Sequence, residues 1–265
     1  MEGEIVGTVR DLWRYPVRSV LGEALEAASL GGNGVIGDRS YSVVENDKFA
    51  MVSAAMSARK WSALVGVRAE FVEEPTPDAP PPSVRLLFPD GAELLSDDPA
   101  LAERLSALTG RDVSLWTGQV AGAGKSDEAD ARADGKTSPA APYELTPIHL
   151  LTTATVRAAN AVYPEGVFDP IRFRPNIVLD TPDVTGFAEN EWLGKTLAIG
   201  ENVRLKIDDD CERCVMTTLG HGSLEEDQNI LKTVYKENNR NFGIYASVVT
   251  LGQVRAGDTV ALLDG

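Results

Sequence analysis

The sequence predicts a mixed α/β but mainly β protein, organised as an antiparallel or mixed barrel with a few short helices. Three observations carry that expectation. Short stretches of alternating apolar and polar residues recur along the chain, Gly, Asp and Pro turns bound them, and no strand–helix–strand rhythm runs through them.

Glu4 to Val9 alternates as a half-buried strand does, and Pro16 then breaks regular structure, so that Arg18 and Ser19 fall just past a turn. Gly31-Gly-Asn-Gly34 is a second turn, and strand character resumes at Ile36 with Asp38 and Arg39 at its entrance, an adjacent pair of the kind that contributes little on a surface. Leu64 to Val72 reads as a strand, the proline cluster of 73–82 as a loop, and Ser83 to Phe88 as one arm of a hairpin turned at Pro89-Asp-Gly91. Asp97 to Leu108 has apolar residues at helical spacing, an acidic first turn and Gly110 beyond its end, which predicts a helix; Asp112 to Trp116 predicts the next strand.

Residues 118–142 are rich in Gly, Ala, Asp and Pro without apolar periodicity. They read as a linker or mobile loop between an N-terminal β-rich domain, 1–117, and a barrel domain, 143–265. In the second domain His149 lies in an apolar, strand-like run, and Thr153 is placed to cap the helix that follows. Arg172 and Arg174 occupy alternate positions of a segment that reads as a strand, hence one face, where two cations require anionic partners. Val203 to Ile207 alternates into Asp208, Val215 to Thr218 is strand-prone, Asp227 to Lys236 is a short helix, and the chain closes on strands.

A net charge of −15 sets aside a general grip on nucleic acid or an anionic membrane, and leaves room for a local basic pocket. With 43% hydrophobic and 25% charged residues the chain buries an ordinary core. The N-terminal residues lack the basic and apolar regions of a signal peptide, so a cytoplasmic location is expected.

The most chemically committed stretch is Asp208-Asp-Asp-Cys211-Glu-Arg-Cys214, which holds the chain's only two cysteines. A thioredoxin-like dithiol places its first cysteine at a helix N-terminus, which the strand-prone residues after Cys214 do not offer. Structural zinc needs two further ligands, and beyond carboxylates only His149 and His221 are available. Two idle buried cysteines sit uneasily beside Arg213 and three aspartates. In the remaining reading one thiolate binds a sulfur-tolerant metal whose other ligands come from an anionic cofactor, with Arg18, Arg39, Arg172 and Arg174 available to neutralise it.

Six pieces in order then match a family: Tyr15-Pro-Val-Arg-Ser19, Gly37-Asp-Arg39, Phe173-Arg-Pro-Asn-Ile177, Cys211-Glu-Arg-Cys214 with Thr217-Thr218, Phe242-Gly-Ile-Tyr245, and Val254-Arg-Ala-Gly-Asp258. Over nearly the whole chain the sequence resembles the MOSC-domain family, named for the C-terminal domain of molybdenum cofactor sulfurase, and within it the mitochondrial amidoxime-reducing component and bacterial stand-alone relatives. The resemblance implies a MOSC-type β-barrel preceded by an N-terminal β-rich MOSC domain. It implies Mo-molybdopterin as cofactor, with Cys214 as the molybdenum ligand and Glu212 and Arg213 lining the same site. Arg18 and Ser19 match a Lys-Ser pair at the pterin phosphate, with the cation kept and its head group changed. Arg39 and Arg174 match arginines that hold the cofactor, Asn176 belongs to the same motif as Arg174, and Thr146 and Tyr245 match a hydroxyl and an aromatic residue of the pocket.

By that resemblance the protein reduces N-hydroxylated compounds such as amidoximes and hydroxylamines, with electrons from a separate flavin, ferredoxin or cytochrome-type protein. Cys214, Arg213 and Asp210 are then the candidate catalytic residues, Asp210 for proton delivery. Two alternatives are a molybdopterin or sulfur carrier, and a molybdenum-independent enzyme using Cys214 as a nucleophile or in carbon–sulfur chemistry. The matching residues come from both halves of the chain, and the site is expected where the halves meet.

Overall fold

The computed structural model describes residues 3–55, 57–117 and 148–263. The predicted linker, 118–142, and Thr146 lie outside the described residues. Two compact units are present: one comprises Met1–Arg14, Glu23–Ile36 and Thr146–Gly265, the other Tyr15–Gly22 and Gly37–Leu145.

The first unit is built on a closed barrel of seven strands. In sheet order these are Ile177–Asp180, Ile148–Thr152, Asn241–Thr250, Val203–Glu212, Thr196–Ile199, Thr259–Leu263 and Glu4–Arg14, and the last pairs back onto the first. Closure removes the free edges that an open sheet would present. All pairs are antiparallel except Ile148–Thr152 with Ile177–Asp180, which run parallel and are joined through the helices Thr153–Val162 and Pro170–Phe173. The period-two pattern is what fills the interior: Val203, Leu205 and Ile207, or Ile177 and Leu179, point alternate side chains into one buried cluster.

A second apolar cluster joins the helices to the sheet. Phe168, Phe173 and Phe242 are fully buried with Leu151, Ile230 and Val234, and Phe173 stacks on Phe242 at 3.9 Å between ring centroids. Each such aromatic pair contributes about 1 kcal/mol beyond its buried area. The other unit holds two three-stranded sheets, Val113–Thr117 with Tyr41–Glu45 and Ala50–Met51, and Arg68–Phe71 with Val84–Leu87 and Glu93–Leu95. Its longest described helix runs Leu101–Thr109 and ends on Gly110 in the left-handed region, as expected.

Four local expectations need correction. The Arg172 segment is a helix, because Asp169 caps it, accepting from Ile171 N at 2.9 Å, and Pro170 occupies its first turn. Val215–Thr218 is a 3₁₀ turn, closed by threonine hydroxyls: Thr217 Oγ1 donates to Cys214 O at 3.0 Å and Thr218 Oγ1 to Val215 O at 2.8 Å. The cap of the Thr153–Val162 helix is Thr152, whose hydroxyl accepts from Thr155 N at 3.1 Å. Leu64 to Gly66 belongs to a 3₁₀ turn, and the strand begins only at Arg68. No described helix is long and apolar enough to cross a membrane.

Candidate functional site

The cysteines lie at and just past the end of the long barrel strand Val203–Glu212, whose pairing with Asn241–Thr250 slips between Ile207 and Asp209 and again between Asp210 and Glu212. Such bulges interrupt strict alternation and re-aim side chains. Here Cys211 is turned inward and fully buried, while Cys214, after the strand, is half-buried; neither is in a disulfide among the described residues. The stretch thus separates its two sulfurs by access.

Arg213 connects the pair to the rest of the barrel unit. Its Nη1 donates to Cys211 Sγ at 2.6 Å, its Nη2 donates to Phe173 O at 2.6 Å, and its guanidinium lies 5.9 Å from the Phe173 ring centroid. Its Nε is buried and has no partner among the described residues. Burial opposes the charge, but the negative fields of Cys211, Tyr245 and Cys214 outweigh it and leave the guanidinium pKa raised.

Asp210 and Glu212 part company. Desolvation, reinforced by Asp209, raises the Asp210 pKa; its Oδ2 accepts from Asn241 Nδ2 at 3.2 Å, and its buried Oδ1 has no partner among the described residues. Glu212 is exposed and accepts a hydrogen bond from Arg240 Nη2. Tyr245 lies opposite His149 across the sheet with ring centroids 5.7 Å apart, and His149 Nε2 donates to Phe242 O at 3.1 Å. Gly243 permits that approach: a Cβ there would stand 2.5 Å from His149 Nε2, and its φ is +90°.

The arginines do not form one face. Arg172 is buried with its guanidinium turned to backbone carbonyls: Nε to Val167 O at 2.9 Å, Nη1 to Leu219 O at 3.1 Å and Thr217 O at 3.5 Å, Nη2 to Glu225 O at 2.6 Å. That geometry holds protein and leaves little of the fork for an anion. Arg174 follows in the left-handed region at φ 55°. Asn176, fully buried, joins strands: its Oδ1 accepts from His149 N at 3.1 Å, and its Nδ2 donates to Trp13 O at 3.4 Å.

In the other unit, Ser19 at φ 62° and Arg39 at φ 53° also adopt left-handed backbone, a cost of about 1 kcal/mol or more each that tends to collect at functional sites. Gly37 makes the turn before Arg39, since a Cβ there would meet the Phe71 ring at 2.7 Å. Asp38 is no loose surface residue: its Oδ1 accepts from Tyr15 N at 2.7 Å and its Oδ2 pairs with Arg39 Nη1, while the Arg39 guanidinium covers the Tyr15 ring at 5.5 Å. Ser19 Oγ accepts from Ala54 N at 3.2 Å. Arg18 has a buried Nε without a partner among the described residues, and desolvation, then the Arg39 charge, lowers its pKa to about 10 against the opposing pull of Asp38. Sequence reasoning missed the role of Asp38, for which adjacent Gly37 was the available signal, and that of Thr217.

Among the described residues, no three His, Cys, Asp or Glu side chains group closely enough to hold a metal ion, so the four-ligand zinc site with His149 and His221 does not assemble there. A metal at Cys214 would take its remaining ligands from outside these side chains.

The YUAD protein of Bacillus subtilis aligns over 97% of this chain and 94% of its own with a TM-score of 0.47 and 10% identity, too distant to bear on chemistry. The chain is 28% identical over 292 positions to mitochondrial amidoxime reducing component 2 of Bos taurus and 25% over 288 positions to that of Rattus norvegicus, each alignment covering 96% of this chain and 83% of the relative. Residues 6–132 match the MOSC N-terminal beta barrel domain and residues 143–261 the MOSC domain. On this match, with a closed barrel beneath it, the chain belongs to the MOSC-domain family.

Proposed function

We propose that this protein is a molybdenum-cofactor-dependent reductase of N-hydroxylated compounds, amidoximes and hydroxylamines, with Cys214 as its protein-derived metal ligand. Its relatives' name supports the reaction class. The structural observation that carries the reading is the unpartnered, buried Nε of Arg18, in a protein of net charge −15. A buried cationic donor left without a partner costs about 1–3 kcal/mol, and a bound anionic group removes that cost.

The residues present fit such a group. In one unit Arg18, with Arg39 and Ser19 on strained backbone, is the proposed donor set for the cofactor's phosphate; in the barrel unit Arg174 is a proposed further cation and half-buried Cys214 the proposed soft ligand for molybdenum. When bound, the cofactor supplies two-electron redox chemistry that removes oxygen from an N–O bond. The reaction takes up two electrons and two protons and releases water with the amidine or amine. Arg213 fixes a positive charge in the residue before Cys214, held by Cys211 Sγ and the Phe173 carbonyl. Asp210, whose pKa is raised by desolvation and then by Asp209, is the proposed group for proton delivery, with a buried Oδ1 that has no partner among the described residues. The electrons come from a separate donor protein, and the compartment we assign is the cytoplasm.

Expression in a cofactor-competent host, followed by metal analysis and fluorescence of the released oxidised pterin, tests the reading. Molybdenum and pterin together, with benzamidoxime turnover by a chemical electron donor, are expected. Both absent from folded protein overturns it, and both present without turnover makes the protein a carrier.

A further inference from the structure

The helix Pro170–Phe173 is only four residues long, yet both segments that flank Cys214 are tied to it. Upstream, Arg213 Nη2 donates to Phe173 O at 2.6 Å. Downstream, the Arg172 guanidinium holds Thr217 O, Leu219 O and Glu225 O from inside the turn, with Val167 O on its Nε. Thr217 then donates to Cys214 O twice, from its backbone N at 3.1 Å and from Oγ1 at 3.0 Å. The helix is itself fixed, through the Asp169 cap and the Phe173–Phe242 stack.

From this we infer that Arg172 is a positioning residue: its guanidinium fork sets the backbone turn after Cys214 and thereby the exposure of the Cys214 thiol. Four of its five N–H donors point at protein carbonyls, and desolvation lowers its pKa against the opposing fields of Asp227 and Asp169, with no direct carboxylate contact among the described residues. Lysine cannot replace it, because one ammonium does not span carbonyls on both sides of a planar fork. The inference rests on Cys214 being the reactive sulfur of the proposed site, so its test reads the thiol directly, in protein free of cofactor.

The test is the rate of Cys214 alkylation by iodoacetamide, followed by peptide mass mapping, in wild type, Arg172→Lys and Arg157→Lys. Arg157 serves as the control because it clasps a different turn in the same way, donating to Thr181 O at 2.8 Å and Val184 O at 2.9 Å. Arg172→Lys is expected to speed Cys214 alkylation at least about fivefold, equivalent to about 1 kcal/mol. Arg157→Lys is expected to leave it unchanged, with Cys211 slow in all three proteins. An unchanged rate in Arg172→Lys, an equal rise in Arg157→Lys, or an equal rise at Cys211 overturns the inference. If Arg172→Lys does not fold, Thr217→Val removes one of the two bonds to Cys214 O and must raise the rate less but in the same direction; no rise then overturns it. Failure of the ligand reading would show separately, as full molybdenum retention in Cys214→Ser.

Discussion

Arg18 and Arg172 are the same residue type, both beside a turn, the first half-buried with its Nε enclosed and the second buried, and they end in opposite states. Arg172 is engaged by carbonyls on all sides of its fork, whereas the Arg18 Nε meets no partner among the described residues. The difference separates two uses of a buried cation: one organises the chain that surrounds it, the other is kept for something the chain does not supply. Charge and position in the sequence do not distinguish them; the destination of each N–H does.

The sharpest test of that contrast is loss of function without loss of fold. Cys214→Ser is expected to abolish molybdenum retention and benzamidoxime turnover, and Cys211→Ser only to weaken retention, since its thiol is buried behind Arg213; equal retention in the two variants breaks the assignment. Arg18→Met is expected to lower molybdenum content and, in cofactor-free protein, to raise the unfolding free energy by about 1 kcal/mol as the unpartnered donor is removed. Arg172→Met is expected to do the reverse to the fold, costing about 3 kcal/mol in urea unfolding as several carbonyls lose their donor. Comparable denaturation midpoints for Arg18→Met and Arg172→Met would erase the distinction.

Gly243→Ala is expected to cost about 2 kcal/mol, because the φ of +90° and the His149 contact both oppose a methyl group. A smaller effect comes from Glu189, a fully buried carboxyl whose Oε2 accepts from Thr152 Oγ1 at 2.9 Å and Oε1 from Thr155 Oγ1 at 2.5 Å. Desolvation raises its pKa despite those bonds. A carboxyl raised in the folded state binds its proton more tightly there, so its contribution is fully present below the ordinary carboxylate pKa and is lost as pH rises through the raised value. Glu189→Gln should therefore be about 1 kcal/mol more stable than wild type near pH 8 and equal to it near pH 4. The smallest shift is spectroscopic: burial, then Arg172 and Arg174, lowers the His221 pKa, and Arg172→Met should move its NMR titration upward.

The barrel was legible because alternation in segments such as Val203 to Ile207 survives in the fold as a buried row. The Arg172 segment misled because alternate cations fit a strand as well as a turn of helix; Asp169 followed by Pro170 is a helix-start signal that outweighs the spacing. Val215–Thr218 misled because β-propensity ignores hydroxyls that bond back to carbonyls three residues earlier. In the site, residue types were legible and their partners were not. No pattern in the chain announces that the Phe173 carbonyl receives Arg213, or that Asn176 links His149 to Trp13.

The strand Glu4–Arg14 hydrogen-bonds on one side to Ile177–Asp180 and on the other to Thr259–Leu263. On a ribosome this element is synthesised long before either partner. Until Thr259–Leu263 emerges the sheet has two bare edges, each able to pair with another nascent chain. Closing it joins residues far apart in the sequence, a high-contact-order step that slows folding. Assembly of this barrel is thus governed by the strand Thr259–Leu263, and a chain halted just short of it should be a client for chaperones.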